Sequence, residues 1–250
     1  MTSGMLVSAT VIYFGTAALL GLSGAVFGLL ALRESGDTRR MVLVGAVPAL
    51  AMAVAYVFMG MEWVTVTTGG REQSVARFAG YSVVLGAIGV IVREVLGLGR
   101  RQFLTMTVVL LLTPWFALAS WLPDGGVLES VLTLCTILAY LGGVYYLFGP
   151  VTRRARAVSG QRRLLYAKLR NLFVLCWGAL ILQSALSEQA LGLTNLFVGQ
   201  LGASYTDIIF MIGIAALVVS GKAVYEDRET ASDESTAGSP TVTPSASRES

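Results

Sequence analysis

The chain has 250 residues, of which 55% are hydrophobic and 13% are charged, with a mean hydropathy of +0.71. This much apolar surface excludes an ordinary soluble domain and predicts an integral membrane protein. The net charge of +3 does not indicate a nucleic-acid partner, because the arginines cluster in short loops between apolar stretches. The chain has no histidine and two cysteines, so we expect neither a metal site nor an enzyme with an imidazole-activated nucleophile.

Seven apolar stretches are each long enough for a membrane-spanning helix, which needs roughly 20 residues. They are Leu6–Leu32, Met41–Met61, Val75–Leu96, Phe103–Trp121, Leu128–Pro150, Leu169–Leu191 and Leu196–Gly221. Between the second and third stretches, Thr65–Gly70 alternates β-branched residues before a Gly-Gly turn signal, which favours a short extracellular β-hairpin. We therefore predict an all-α bundle of seven transmembrane helices over residues 1–225. Residues 226–250 are rich in Ser, Thr, Glu and Pro and predict a disordered cytoplasmic tail.

Basic residues are concentrated in the loops after the first, third and fifth stretches. Because positive charge stays in the cytoplasm, this pattern predicts a multi-pass cell-membrane protein with its N-terminus outside and its C-terminus inside. The densest cluster follows the fifth stretch and consists of Arg153, Arg154, Arg156, Arg162 and Arg163. We interpret this cluster either as a topology determinant against anionic lipid headgroups or as a docking surface for a membrane or cytoplasmic protein partner. The sequence leaves a homo-oligomer open.

Three segments resemble the microbial rhodopsins of the haloarchaeal, bacteriorhodopsin-like type. Gly70–Tyr81 resembles the start of their third helix, Lys168–Trp177 their sixth helix, and Tyr205–Met211 their seventh helix. The resemblance implies the seven-helix rhodopsin fold and a family of photoreceptors and ion transporters. In that family, retinal is normally attached to a lysine of the seventh helix.

The matched positions carry unusual residues for that family. By resemblance, Met211 occupies the retinal-attachment position, Gly80 the proton-acceptor position and Ile91 the proton-donor position. Arg77 and Asp207 correspond to the extracellular-side arginine and the seventh-helix counterion, which makes them candidates for an intramembrane ion pair. This pair is interpreted either as a structural bridge between the third and seventh helices or as part of an ion pathway.

The aromatic residues and the lysines raise two further questions, whether a ligand pocket remains and whether another lysine could attach retinal. By resemblance, Tyr81 and Trp177 stand at retinal-packing positions and form a candidate residual pocket, although a tryptophan like Trp177 is by itself more often a packing residue than part of a pocket. The chain has two lysines, Lys168 and Lys222, both at predicted helix ends. Lys222 follows Met211 by eleven residues, about 16 Å along a helix, so we do not assign it as the attachment site.

These substitutions lead to two hypotheses. We expect no cofactor and do not expect covalent retinal, because position 211 supplies no amine. The preferred interpretation is a non-chromophoric interaction or regulatory protein of the rhodopsin type that is not a light-driven proton pump. The alternative is a photoreceptor or ion transporter that holds retinal or another apolar ligand noncovalently.

Overall fold

The computed structural model describes residues 9–68, 71–123, 125–187 and 191–225. Within these ranges, seven helices are long and apolar enough to cross a membrane. They are α1 (Ala9–Ala31), α2 (Gly36–Gly60), α3 (Val75–Leu96), α4 (Arg100–Ser120), α5 (Val127–Ala155), α6 (Gly160–Leu186) and α7 (Leu196–Ser220). The predicted seven-helix transmembrane bundle is confirmed. The predicted tail over residues 226–250 lies outside the described residues.

The predicted hairpin between α2 and α3 is also confirmed. Strand β1 (Thr65–Thr68) pairs antiparallel with β2 (Arg71–Ser74), with Thr65 opposite Ser74. The amide of Val75 donates to the carbonyl of Val64 at 3.0 Å, so the pairing continues into the first residue of α3. The hairpin therefore sets where α3 begins.

Several helices extend beyond the predicted apolar stretches, and the reasons differ between α5 and α6. Helix α6 begins at Gly160 instead of Leu169, because arginine and lysine are good helix formers and interrupt the apolar pattern without ending the helix. Helix α5 continues past Pro150 through a π-helical turn at Leu147–Val151. The hydroxyls of Thr152 and Tyr166 donate to the Leu147 carbonyl at 2.7 and 2.6 Å. The wider turn accommodates the proline, which has no amide hydrogen to donate.

Helix α3 lies at the centre of the bundle. Its apolar segment is 61% buried, whereas that of α5 is 17% buried. The outward side chains of α5 are large and apolar, as at Leu134 and Leu138, which are more than half exposed. Such a surface suits lipid, where apolar side chains need no protein cover. We therefore expect the buried ionisable side chains to lie around α3.

Glycines set two of the contacts of α3. A Cβ on Gly80 would lie 2.9 Å from Sδ of Met52 and 3.1 Å from Cβ of Ala55, both on α2. A Cβ on Gly89 would lie 2.7 Å from Oγ1 of Thr107 on α4. At Gly86, in contrast, no atom lies within 4 Å of the added Cβ. Gly80 and Gly89 therefore allow neighbouring helices to approach α3 closely, and Gly86 does not.

This difference predicts opposite outcomes for one substitution at two positions of the same helix. Gly80→Ala should cost about 1–3 kcal/mol, because the methyl group overpacks the α2–α3 contact. Gly86→Ala should be neutral or stabilising, because alanine favours a helix over glycine by about 1 kcal/mol. Thermal unfolding of both variants in the same detergent checks this. Equal midpoints for the two variants would contradict the close contact at Gly80.

Candidate functional site

The bundle contains a fully buried carboxylate at Asp207 on α7, with a relative exposure of 0%. The hydroxyl of Tyr56 on α2 donates to its Oδ2 at 2.6 Å. The hydroxyl of Tyr81 on α3 lies 2.9 Å from Oδ1 and 3.1 Å from Oδ2. Nη2 of Arg77 forms an ion pair with Oδ2 at 2.9 Å. We call these four residues the Asp207 network; it joins α2, α3 and α7.

The network compensates the cost of burying its charges. An isolated carboxylate in an apolar interior is unfavourable, but here one guanidinium balances its charge and two phenols donate to its oxygens. Nε of Arg77 also donates to the Tyr81 hydroxyl at 3.0 Å, which closes the network. Cζ of Arg77 lies 5.5 Å from the centroid of the Tyr81 ring and 6.0 Å from that of Tyr56, within the range of cation–π attraction.

An aromatic cluster adjoins the network. The centroid of the Tyr81 ring lies 5.0 Å from that of Trp177 on α6, in an edge-to-face arrangement. Trp177 stacks on Phe173 at 5.6 Å and meets Phe210 of α7 edge-to-face at 6.3 Å. We call these four residues the aromatic cluster. Tyr81 belongs both to the aromatic cluster and to the Asp207 network. A movement of its ring therefore also moves the hydroxyl that donates to Asp207.

The remaining predicted positions carry no ionisable group. Met211 is fully buried in the core, one helical turn after Asp207. Gly80 is packed against α2, as described above, and Ile91 is fully buried among apolar residues further along α3. The structure thus brings Arg77, Asp207, Tyr81 and Trp177 together and leaves Ile91 apart. The roles of these positions in a proton or retinal pathway stay predictions.

Sequence reasoning missed Tyr56, Phe173 and Phe210. All three lie in apolar helices, where a tyrosine or phenylalanine gives no local signal of a partner. Tyr56 and Asp207 are 151 residues apart, so only the packing of α2 against α7 brings them together. Lys222 lies outside the site: its Nζ is 3.3 Å from Oε1 of Glu34, in a partly exposed pair at the end of the bundle.

Fold and site together define a multi-pass membrane protein with a charged network inside a seven-helix bundle. The chain belongs to the microbial rhodopsin family, because the sequence model of the family of bacteriorhodopsin-like proteins matches residues 8–223. It is 28% identical over 215 residues to sensory rhodopsin-2 of Natronomonas pharaonis, covering 82% of this chain and 87% of that protein.

Solved structures show the same fold at low sequence identity. The thermophilic rhodopsin of Rubrobacter xylanophilus matches with a TM-score of 0.83 and 15% identity, over 89% of this chain and 100% of the other. The light-driven proton pump of Coccomyxa subellipsoidea matches with a TM-score of 0.72 and 20% identity, over 86% and 95%. At this identity, the likeness concerns the fold and not the activity.

Family membership corrects the cofactor prediction. The expectation of no cofactor, and of no covalent retinal, is contradicted by the family match and by the similarity to rhodopsins. Retinal is the cofactor to which this family points. The expectation was wrong because it was drawn from position 211 alone, whereas the rest of the chain keeps the family pattern over residues 8–223.

The aromatic cluster fits the apolar part of such a ligand. The rings of Tyr81, Trp177 and Phe210 come from three helices, with Trp177 edge-to-face to the other two, and a conjugated chain stacks well on rings of this kind. At Met211, the buried side chain is a thioether. The role of Tyr81 and Trp177 in packing retinal stays a prediction, and position 211, which corresponds by resemblance to the attachment site, supplies no amine.

The Asp207 network predicts strong coupling between Arg77 and Asp207. Removing one partner of a buried ion pair typically costs about 3–5 kcal/mol, because the other charge is left uncompensated. We expect Arg77→Gln and Asp207→Asn each to lower the thermal midpoint in detergent, and the double variant to recover much of the loss. Additive losses would show that the two charges do not stabilise each other.

A control for this cycle exists in the same chain. Lys222 and Glu34 form a partly exposed pair, with side-chain exposures of 49% and 25%. Such pairs contribute about 0–1 kcal/mol, so Lys222→Gln and Glu34→Gln should each change the midpoint little.

Proposed function

We propose that this protein is a photoreceptor of the microbial rhodopsin family that binds retinal in contact with the aromatic cluster. The similarity to a sensory rhodopsin supports this alternative over the non-chromophoric protein preferred from the sequence. Retinal supplies absorption of light. The side chains proposed to hold it are those of Tyr81, Trp177 and Phe210.

One observation carries the proposal: Tyr81 belongs both to the aromatic cluster and to the Asp207 network. Its ring faces Trp177, while its hydroxyl contacts both oxygens of Asp207. A ligand that moves the Tyr81 ring therefore changes the hydrogen bonds that join α3 to α7. Through Tyr81, a movement of the ligand at the aromatic cluster changes the contacts of the buried Arg77–Asp207 pair. A sensor requires such a link between its ligand and the rest of the protein.

The residues at positions 80 and 91 favour sensing over proton pumping. Gly80 and Ile91 have no titratable group, so the positions that correspond to the proton acceptor and donor cannot exchange a proton. The protein therefore acts as neither a pump nor an enzyme in this proposal.

The output surface in this proposal is the basic cluster between α5 and α6. Arg153, Arg154, Arg156 and Arg163 are exposed, and Arg162 is half-buried. Exposed arginines at the predicted cytoplasmic end suit an acidic surface of a membrane or cytoplasmic protein partner. A signal that shifts α6 through Trp177 reaches this cluster, because Arg162 and Arg163 lie on the same helix.

Retinal binding is tested by the circular dichroism that a bound retinal acquires from its chiral surroundings. We expect such a signal when retinal is added to the wild-type protein in detergent. Trp177→Leu should weaken the affinity roughly tenfold, because it removes a buried aromatic contact from the site. Trp115→Leu is the matched control: Trp115 is 46% exposed on α4 and should leave the affinity unchanged.

The attachment is tested by denaturing the complex in organic solvent and measuring free retinal. Retention of retinal on the protein would show covalent attachment through Lys168 or Lys222, the two lysines of the chain. Full recovery of free retinal would show that noncovalent contacts hold it. If wild type acquires no signal, or both tryptophan variants weaken binding equally, the aromatic cluster is not the site.

Transport is tested in sealed vesicles that contain the protein and retinal. Illumination should produce no change in external pH beyond that of protein-free vesicles, because positions 80 and 91 carry no exchangeable proton. A light-dependent pH change that an uncoupler abolishes would refute the absence of pumping. A known proton pump in parallel vesicles serves as the positive control.

A further inference from the structure

A groove on the outer surface between α1 and α2 combines apolar walls with two arginines at one end. Its volume is about 450 Å³, within the range of roughly 300–1,000 Å³ that small-molecule sites occupy. The lining residues used below are Gly28, Arg39, Arg40, Leu43, Val47 and Leu50. None of them belongs to the Asp207 network or to the aromatic cluster.

The groove lies next to a close contact between α1 and α2. A Cβ on Gly24 of α1 would lie 2.6 Å from Cδ2 of Leu50, so the helices are in close contact there. One turn further along α1, at Gly28, no atom lies within 4 Å of an added Cβ. The space above Gly28 is therefore open towards the side of the bundle, where a membrane protein meets lipid.

The charge of the groove changes along its axis. Leu43, Val47 and Leu50 present exposed apolar side chains along α2. Arg39 and Arg40 are exposed at the start of α2, at the predicted cytoplasmic boundary. The nearest acids offset them in part: Glu34 is paired with Lys222, and Asp37 contributes one negative charge against the two arginines.

We propose that this groove is a binding site for an anionic phospholipid of the cytoplasmic leaflet. One acyl chain lies in the apolar groove above Gly28, and the headgroup phosphate contacts Arg39 and Arg40. Guanidinium groups bind phosphate oxygens through charge-assisted hydrogen bonds, and basic sites next to transmembrane helices on the cytoplasmic side recognise anionic headgroups. The lipid contacts both α1 and α2, since residues of both helices line the groove.

The test offers the purified protein equal amounts of phosphatidylglycerol and phosphatidylcholine with identical acyl chains and counts bound lipids by native mass spectrometry. The wild-type protein should retain phosphatidylglycerol with a preference of roughly tenfold. The double variant Arg39→Gln/Arg40→Gln should bind both lipids equally. Gly28→Leu should lose both, because its side chain fills the groove.

Gly15→Leu is the matched control, since Gly15 also lies on α1 with no atom within 4 Å of its added Cβ, and it does not line the groove. It should retain phosphatidylglycerol as the wild type does. Equal retention of both lipids by the wild type, or unchanged binding by Gly28→Leu, would overturn the proposal. So would a wild-type dimer that Gly28→Leu separates, because a second copy would then fill the groove. If Gly28→Leu does not fold, the arginine variant still decides, since it changes only exposed side chains.

Discussion

The buried charge of Asp207 is the constraint on which the arrangement of the bundle depends. A carboxylate at 0% exposure is stable only with donors and a compensating charge, and these come from two other helices. Tyr56, Arg77 and Tyr81 must therefore converge on one point of α7. This requirement fixes α2, α3 and α7 relative to one another far more narrowly than apolar packing alone, which tolerates many similar arrangements.

Gly80 makes this convergence possible. It lies next to Tyr81 in sequence and packs against Ala55, the neighbour of Tyr56. Because Gly80 has no side chain, α3 packs closely on the side chains of Met52 and Ala55 of α2, and both hydroxyls reach the same carboxylate. Gly80 therefore has a structural role in the contact between α2 and α3. The charges of the Asp207 network balance as one pair, Arg77 with Asp207.

Outside the Asp207 network, most of the basic residues that the structure describes lie towards the ends of the helices. Examples are Arg39 and Arg40 of α2 and Arg162 and Arg163 of α6. Lys222 likewise pairs with Glu34 at the end of the bundle instead of entering its interior. These boundary charges are where we propose that an anionic lipid and a protein partner make contact.

The sequence by itself determined the number of spanning helices, the hairpin before α3 and the basic boundary, because each depends on local features: apolar length, β-branched alternation and charge. Resemblance to a family also identified Arg77, Asp207, Tyr81 and Trp177 as candidates. Only the tertiary structure decided that Tyr56 completes the network, that Tyr81 joins it to Trp177, and that α5 passes Pro150 through a π-helical turn supported by Tyr166. Each of these depends on partners from another helix, and a hydrogen bond between residues as far apart as Tyr56 and Asp207 leaves no periodic trace in the sequence. The physical reason is that helix packing, and not the order of residues, brings their atoms within bonding distance.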